Sequence, residues 1–135
     1  VSLLPVEAID FIYARWTTSW GTTSPYTFDN ESYDPDESEA WVRLVVRHAD
    51  SNFETLGGVG NRRVRREGSI VMQIFTPSNE GVSEAHTLTK AAADIFEGVS
   101  FNGIDVTNVV TREVGPSDAW YLIVAEAFFA YEERK

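Results

Sequence analysis

This chain has no cysteine. Disulfides, thiolate metal sites and a cysteine nucleophile are excluded together, and a reducing compartment fits the composition. Histidine is nearly as scarce, with only His48 and His86. Neither has a second histidine or a carboxylate at ligand spacing, so no H-E-x-x-H or Glu-x-x-His pattern forms and both read as structural residues. Long apolar runs are missing too. Nothing approaches the roughly 18 residues of a membrane span. The opening "VSLLPVEAIDFIYARW" carries Glu7 and Asp10 where an export signal would stay apolar, so on this reading nothing directs export. Positive charge is also short, with 11 Lys and Arg against 21 Asp and Glu, a formal net charge of −10. General attraction to DNA or RNA is therefore disfavoured.

What is present is enough for a folded domain. At 135 residues, 43% hydrophobic and 13% aromatic, the chain can bury a core and has little room for a second one, so a single domain over residues 1–135 is expected. "LPVEAIDFIYARW" has helical spacing and predicts a helix over about 3–14, with Pro5 tolerated in its first turn. The stretch 17–40 is rich in Thr, Ser, Gly and Pro, and six acids fall between Asp29 and Glu39. It reads as a long excursion with room for one short strand. "AWVRLVVRHAD" and "RVRREGSIVMQIFTP" predict two strands of a hairpin whose tip spans about 51–66. "SNEGVSEAHTLTKAAADIFEG" predicts a helix capped by Ser78 or Asn79, with Gly98 behind it. A strand over about 104–113, a turn at Gly115–Asp118 and a strand over about 119–131 complete the chain. The expected fold is α+β in the order α-β-β-α-β-β, an antiparallel or mixed sheet of about four to five strands packed with two helices.

The acids of "DNESYDPDESE" alternate like a calcium loop but lack the glycine and the closing bidentate glutamate, so a solvated loop is expected. "GGVGN" lies between two strands with no Lys-Ser/Thr after it, and reads as a hairpin tip, not a phosphate cradle. Ser19, Ser24 and Ser32 have no G-x-S-x-G elbow. No catalytic constellation emerges, and no cofactor or metal is expected.

Two features point to assembly. The last strand is apolar on both faces, with Tyr121, Ile123, Ala125, Ala127 and Phe129 on one and Trp120, Leu122, Val124 and Phe128 on the other. The second face is covered either by another subunit or, within the monomer, by the N-terminal helix or the 17–40 excursion. Arg62, Arg63, Arg65 and Arg66 crowd into five positions of an acidic chain. Exposed pairing of these arginines with the acids of the excursion would stabilise little, roughly 0 to 1 kcal/mol each. An arginine tip on one subunit meeting an acidic loop with Asp34, Asp36 and Glu37 on another would set orientation and register.

The run from Arg66 and Gly68 through Phe75, Pro77, Gly81, Ala85 and Phe96, then Gly115, Pro116, Asp118 and Trp120, resembles the phage tail terminator-like family of siphophages and gene transfer agents. The resemblance implies a non-enzymatic virion protein, assembled in the bacterial cytoplasm and located in the tail or neck. It implies a homo-oligomer, a hexameric ring at the head-proximal end of the tail tube that stops tube polymerisation and meets the head connector. DNA would pass through its lumen without specific binding. The candidate ring and partner contacts are Arg62, Arg63, Arg65, Arg66, Asp34, Asp36, Glu37, Trp120, Leu122 and Val124. Another neck or connector role is the near alternative. Two readings of other classes are a small α+β ligand-binding domain or cofactorless enzyme with a pocket lined by Trp16, Trp20, Trp41 and His48, and a nucleic-acid binder using Phe53 beside the arginines.

Overall fold

The structure, a computed structural model, describes residues 2–53, 57–60 and 62–135. Helix α1 runs Pro5–Trp20. Pro5 takes the first turn, where its missing N–H has no partner to lose, and the Leu4 N–H donates to the Glu7 carboxylate at 2.9 Å. The helix outlasts the expected end near residue 14. Ala8, Ile12, Trp16 and Trp20 recur every four residues, all buried, and this stripe carries the helix through the unfavourable Thr17, Thr18 and Ser19. Gly21, at φ 57, ends it.

The strands are β1 (Tyr26–Phe28), β2 (Trp41–Phe53), β3 (Arg63–Pro77), β4 (Ser100–Phe101), β5 (Ile104–Ser117) and β6 (Trp120–Arg134), with helix α2 (Ser83–Phe96) between β3 and β4. They form one six-stranded sheet in the order β1-β2-β3-β6-β5-β4, antiparallel except for the parallel β1–β2 pair. The α+β class holds, while the expected count of four to five strands and the order α-β-β-α-β-β are corrected by the short β1 and β4. β1 is the one short strand for which the 17–40 excursion left room, whereas β4, two residues long, is too brief to show as a pattern in the sequence.

Three boundaries move for local reasons. The β5–β6 hairpin turns at Asp118–Ala119 alone, with Asp118 at φ 53, while Gly115, at φ 98, sits in a bulge of β5. Neither Ser78 nor Asn79 caps α2; Asn79 (φ 67) and Gly81 (φ 81) form a turn, and the helix starts after Val82. β2 and β3 extend to Phe53 and from Arg63, which places Arg63, Arg65 and Arg66 in a strand; residues 54–56 and 61 of the expected tip lie outside the described residues.

Alternation along the strands separates two faces. Val42, Leu44, Val46, Ile70, Met72, Ile74, Ala125 and Ala127 form one core with α1 and α2. Trp16 joins the helices to it, stacking on Trp20 with ring centroids 4.6 Å apart and on Phe96 at 6.4 Å. Trp16 and Trp20 thus belong to the core, Trp41 points to the opposite face, and the ligand pocket expected between Trp16, Trp20, Trp41 and His48 is not assembled.

Candidate assembly surfaces

The four arginines do not act as one patch. Arg63 and Arg65 lie on the face away from the helices, level with Arg134 and Glu132; Arg66 lies on the helix face, level with Tyr131. Arg65 pairs with Glu67 at 2.6 Å and Arg63 with Glu132 at 3.6 Å, both half-exposed. Arg66 is largely enclosed: it donates to Glu133 at 2.8 and 3.0 Å and to Ser51 Oγ at 2.7 Å. The Arg62 backbone exchanges hydrogen bonds with Lys135 at 3.1 and 2.7 Å. Glu132 and Glu133 at the end of β6 and Glu67 within β3 pair with Arg63, Arg66 and Arg65 respectively. Ending the last strand at residue 131 hid Glu132 and Glu133, because the antiparallel register places them opposite Arg65 and Val64.

The acidic excursion enters β2 at Trp41, whereas the arginines stand opposite Ser51 and Asn52. At about 3.3 Å per residue, Trp41 lies roughly 30 to 35 Å along the strand from Ser51 and Asn52, while Asp29 at the start of the excursion sits beside Leu44 and Arg47. Asp34, Asp36 and Glu37 are all exposed. Asp36 accepts the Ser38 N–H at 2.9 Å and its hydroxyl at 2.7 Å, bonds that hold its pKa below the usual carboxylate value. Asp29 of the excursion pairs with Arg47 at 2.6 Å, and this hydrogen bond likewise lowers its pKa.

On the same end of the outer face, Trp41 stacks on Phe75 at 4.3 Å, and Trp120 meets both edge-on at 6.1 and 6.4 Å. Tyr33 of the excursion covers Trp41 at 4.9 Å. Part of the apolar face is therefore closed within the monomer by the excursion, while α1 lies on the other side. Val124 is buried, Trp120 and Leu122 stay partly exposed, and Phe128, Val110 and Val114 are open to solvent.

His48 and Tyr131 meet beneath the arginine end at 2.6 Å, geometry that fits the tyrosine hydroxyl donating to Nε2 of a neutral imidazole. Desolvation, then the Arg66 charge, lowers the His48 pKa from 6.5; desolvation pushes Tyr131 up from 10.0 to about 12. The signs set two windows. A depressed histidine costs stability as pH falls below 6.5, because the unfolded chain takes the proton first. A raised tyrosine costs stability as pH rises from 10.0 towards about 12, because the unfolded chain releases its proton first. Urea melts across both windows are expected to show both losses in the wild type, with the acid loss reduced in His48→Gln and the alkaline loss reduced in Tyr131→Phe.

His86 lies on the exposed side of α2 and reaches Glu113 of β5 at 2.9 Å across an open cleft of about 670 Å³. Lys90, Asp94 and Glu97 share that cleft. Among the described residues no three His, Asp or Glu side chains converge as a metal site, and no helix is long and apolar enough to cross a membrane.

The surface features are thus edges, a charge separation and an aromatic face on a mixed sheet backed by two helices. The family model described as "Phage tail terminator protein" matches residues 9–121, most of the chain. The chain belongs to the phage tail terminator family. Its members are structural proteins of phage tails, which makes this chain a tail component of a virion. The matched span takes in most of α1, the whole of α2, every strand through β5 and the start of β6. Among solved structures 17 chains match. One aligns with a TM-score of 0.65 at 16% identity, over 91% of this chain and 94% of its own, a likeness of fold. Comparison with curated proteins finds no match.

Proposed function

We propose that this terminator forms a ring at the head-proximal end of a phage-like tail tube, ends tube polymerisation there and joins the tail to the head connector. Its partners are other copies of itself, in a number expected to be six, the tube protein on one side and a connector protein on the other. DNA passes through the lumen, where a chain of net charge −10 resists phosphate binding. No chemistry is required of it. The observation that carries the reading is the family match over 9–121.

The distribution of charge adds a direction. A ring between two different partners needs two different faces, and the sheet separates its charges lengthwise, with Asp34, Asp36 and Glu37 near the start of β2 and Arg62, Arg63 and Arg65 near its end. Native mass spectrometry with and without purified tail tubes tests the reading. The wild type is expected to form rings, alone or on tubes. The Arg63→Glu/Arg65→Glu variant is expected to keep its fold, since the seen pairs are exposed, and to lose capture by one partner at least tenfold. A wild-type monomer indifferent to tubes would sink the ring; equal capture of both proteins would remove the arginines from the contact.

A further inference from the structure

The sheet has two unfinished edges, and they are unfinished at opposite ends. At one edge, β1 covers β2 only at Val42–Leu44. Farther along β2, Arg47, His48, Ala49, Ser51 and Asn52 are exposed, and among the described residues no backbone group pairs with that side. At the other edge, β4 covers Ile104 and Asp105, the Val106 N–H donates to Val99 O at 2.9 Å and the Gly98 N–H to Thr107 O at 2.9 Å. Past that point the Glu97 carboxylate accepts the Val109 N–H at 3.3 Å. From Val110 to Val114, β5 is exposed on both faces, with Val110 and Val114 each 51% accessible. A long open edge of this kind is a template for another strand.

Rows across the sheet show how the two edges relate. Thr111 is level with Ala125, Met72, Leu44 and Phe28, and Glu113 is level with Ile123, Ile74, Val42 and Tyr26. The recess along β5 is therefore level with the projection made by β1. Ser100 is level with Asp105, Ala130 and Glu67, which faces the β2 bulge between His48 and Ser51. The projection made by β4 is level with the recess along β2. The two edges are complementary steps.

Strand polarity agrees. β5 runs opposite to β6 and β2, and β1 runs with β2. Rotation about an axis along the strands preserves direction, so a neighbour's β1 would meet β5 antiparallel.

We propose that the copies join by a lap joint, with β1 of one copy lying in the β5 recess of the next and β4 of that copy lying beside β2 residues 47–52 of the first. The contact is head-to-tail, the kind that repeats around a ring, and it engages both edges of every copy, with the Phe28 N–H of β1 already accepted by Glu31 at 2.9 Å. Main-chain hydrogen bonds supply the attraction, as in strand addition generally. This inference rests on the ring reading above and specifies its interface.

The cysteine-free chain suits a direct test. Two double variants place thiols at exposed positions on opposite edges, Pro25→Cys/Val114→Cys at the lower step and Ala49→Cys/Ser100→Cys at the upper one. Each is assembled, alone or on tubes, checked by native mass and treated with a short bismaleimide that tolerates a register slip. The expected result is a ladder of covalent oligomers up to the full ring, carrying most of the protein, from both double variants and not from the four single variants. Rings that form but do not crosslink would overturn the lap joint and leave the ring standing. Crosslinking by Val114→Cys alone would indicate a two-fold β5–β5 contact and overturn it as well. Failure of the uncrosslinked protein to form rings on any tube would overturn the ring reading and the joint together.

Discussion

Gly68→Ala is expected to lower the melting temperature by about 10 °C or more, about 3 kcal/mol for a domain of this size. Gly68 lies where β3 passes under the bulge of β2, opposite His48 on one side and Phe129 on the other. A Cβ there would run into the Arg47 carbonyl oxygen, 2.8 Å from the Phe129 ring and 3.0 Å from His48 Cα. Two of these obstacles are backbone, so no rotamer change relieves them, and β2 has to lift off β3. That displacement would also disturb the nearby His48–Tyr131 hydrogen bond. Gly81→Ala is the control. Gly81 is at φ 81 with nothing near its missing Cβ, so alanine there meets only conformational strain of about 1 kcal/mol. Urea denaturation of the two variants separates packing from conformation, and equal losses would show that close approach is not what requires glycine at position 68.

Gly68 also shows why the family pattern was readable while the assembly surface was only partly so. The residues that carried the resemblance answer local backbone and packing demands: Gly68 a close strand crossing, Gly81 and Gly115 positive φ, Asp118 a left-handed turn, Ala85 and Phe96 buried contacts of α2. Such demands are local, and sequence exposes them. The core faces followed from period-two and helical spacing for the same reason. Pairing partners are not local. The crowding of Arg62–Arg66 was plain, and its division between two faces follows from alternation along the strand, yet the pairing with Glu132 and Glu133 depends on the β3–β6 register. Tyr33 reaching Trp41 across the outer face had no signal beyond being an aromatic in a polar stretch. The open stretch of β5 was hidden because its neighbour β4 is two residues long, and edge coverage is a property of the whole sheet.

Glu133→Ala is expected to cost about 3 kcal/mol, the second large effect, and to show that Arg66 belongs to the fold. Their side chains are only 19% and 10% accessible, so removing the carboxylate strands a guanidinium that water reaches poorly. Much of the loss comes from that stranded charge, not from the net worth of the pair. Arg66→Met/Glu133→Leu, which removes both charges and retains bulk, should therefore recover most of the stability, and a double-mutant cycle by urea denaturation measures the coupling. No recovery would mean that the Ser51 contact, or packing the apolar pair cannot replace, carries the stability instead. The same double variant should still be captured by tail tubes, whereas Arg63→Glu/Arg65→Glu should keep its stability and lose capture. Opposite outcomes for arginines separated by one strand position would divide the cluster by function as the alternation of β3 divides it in space.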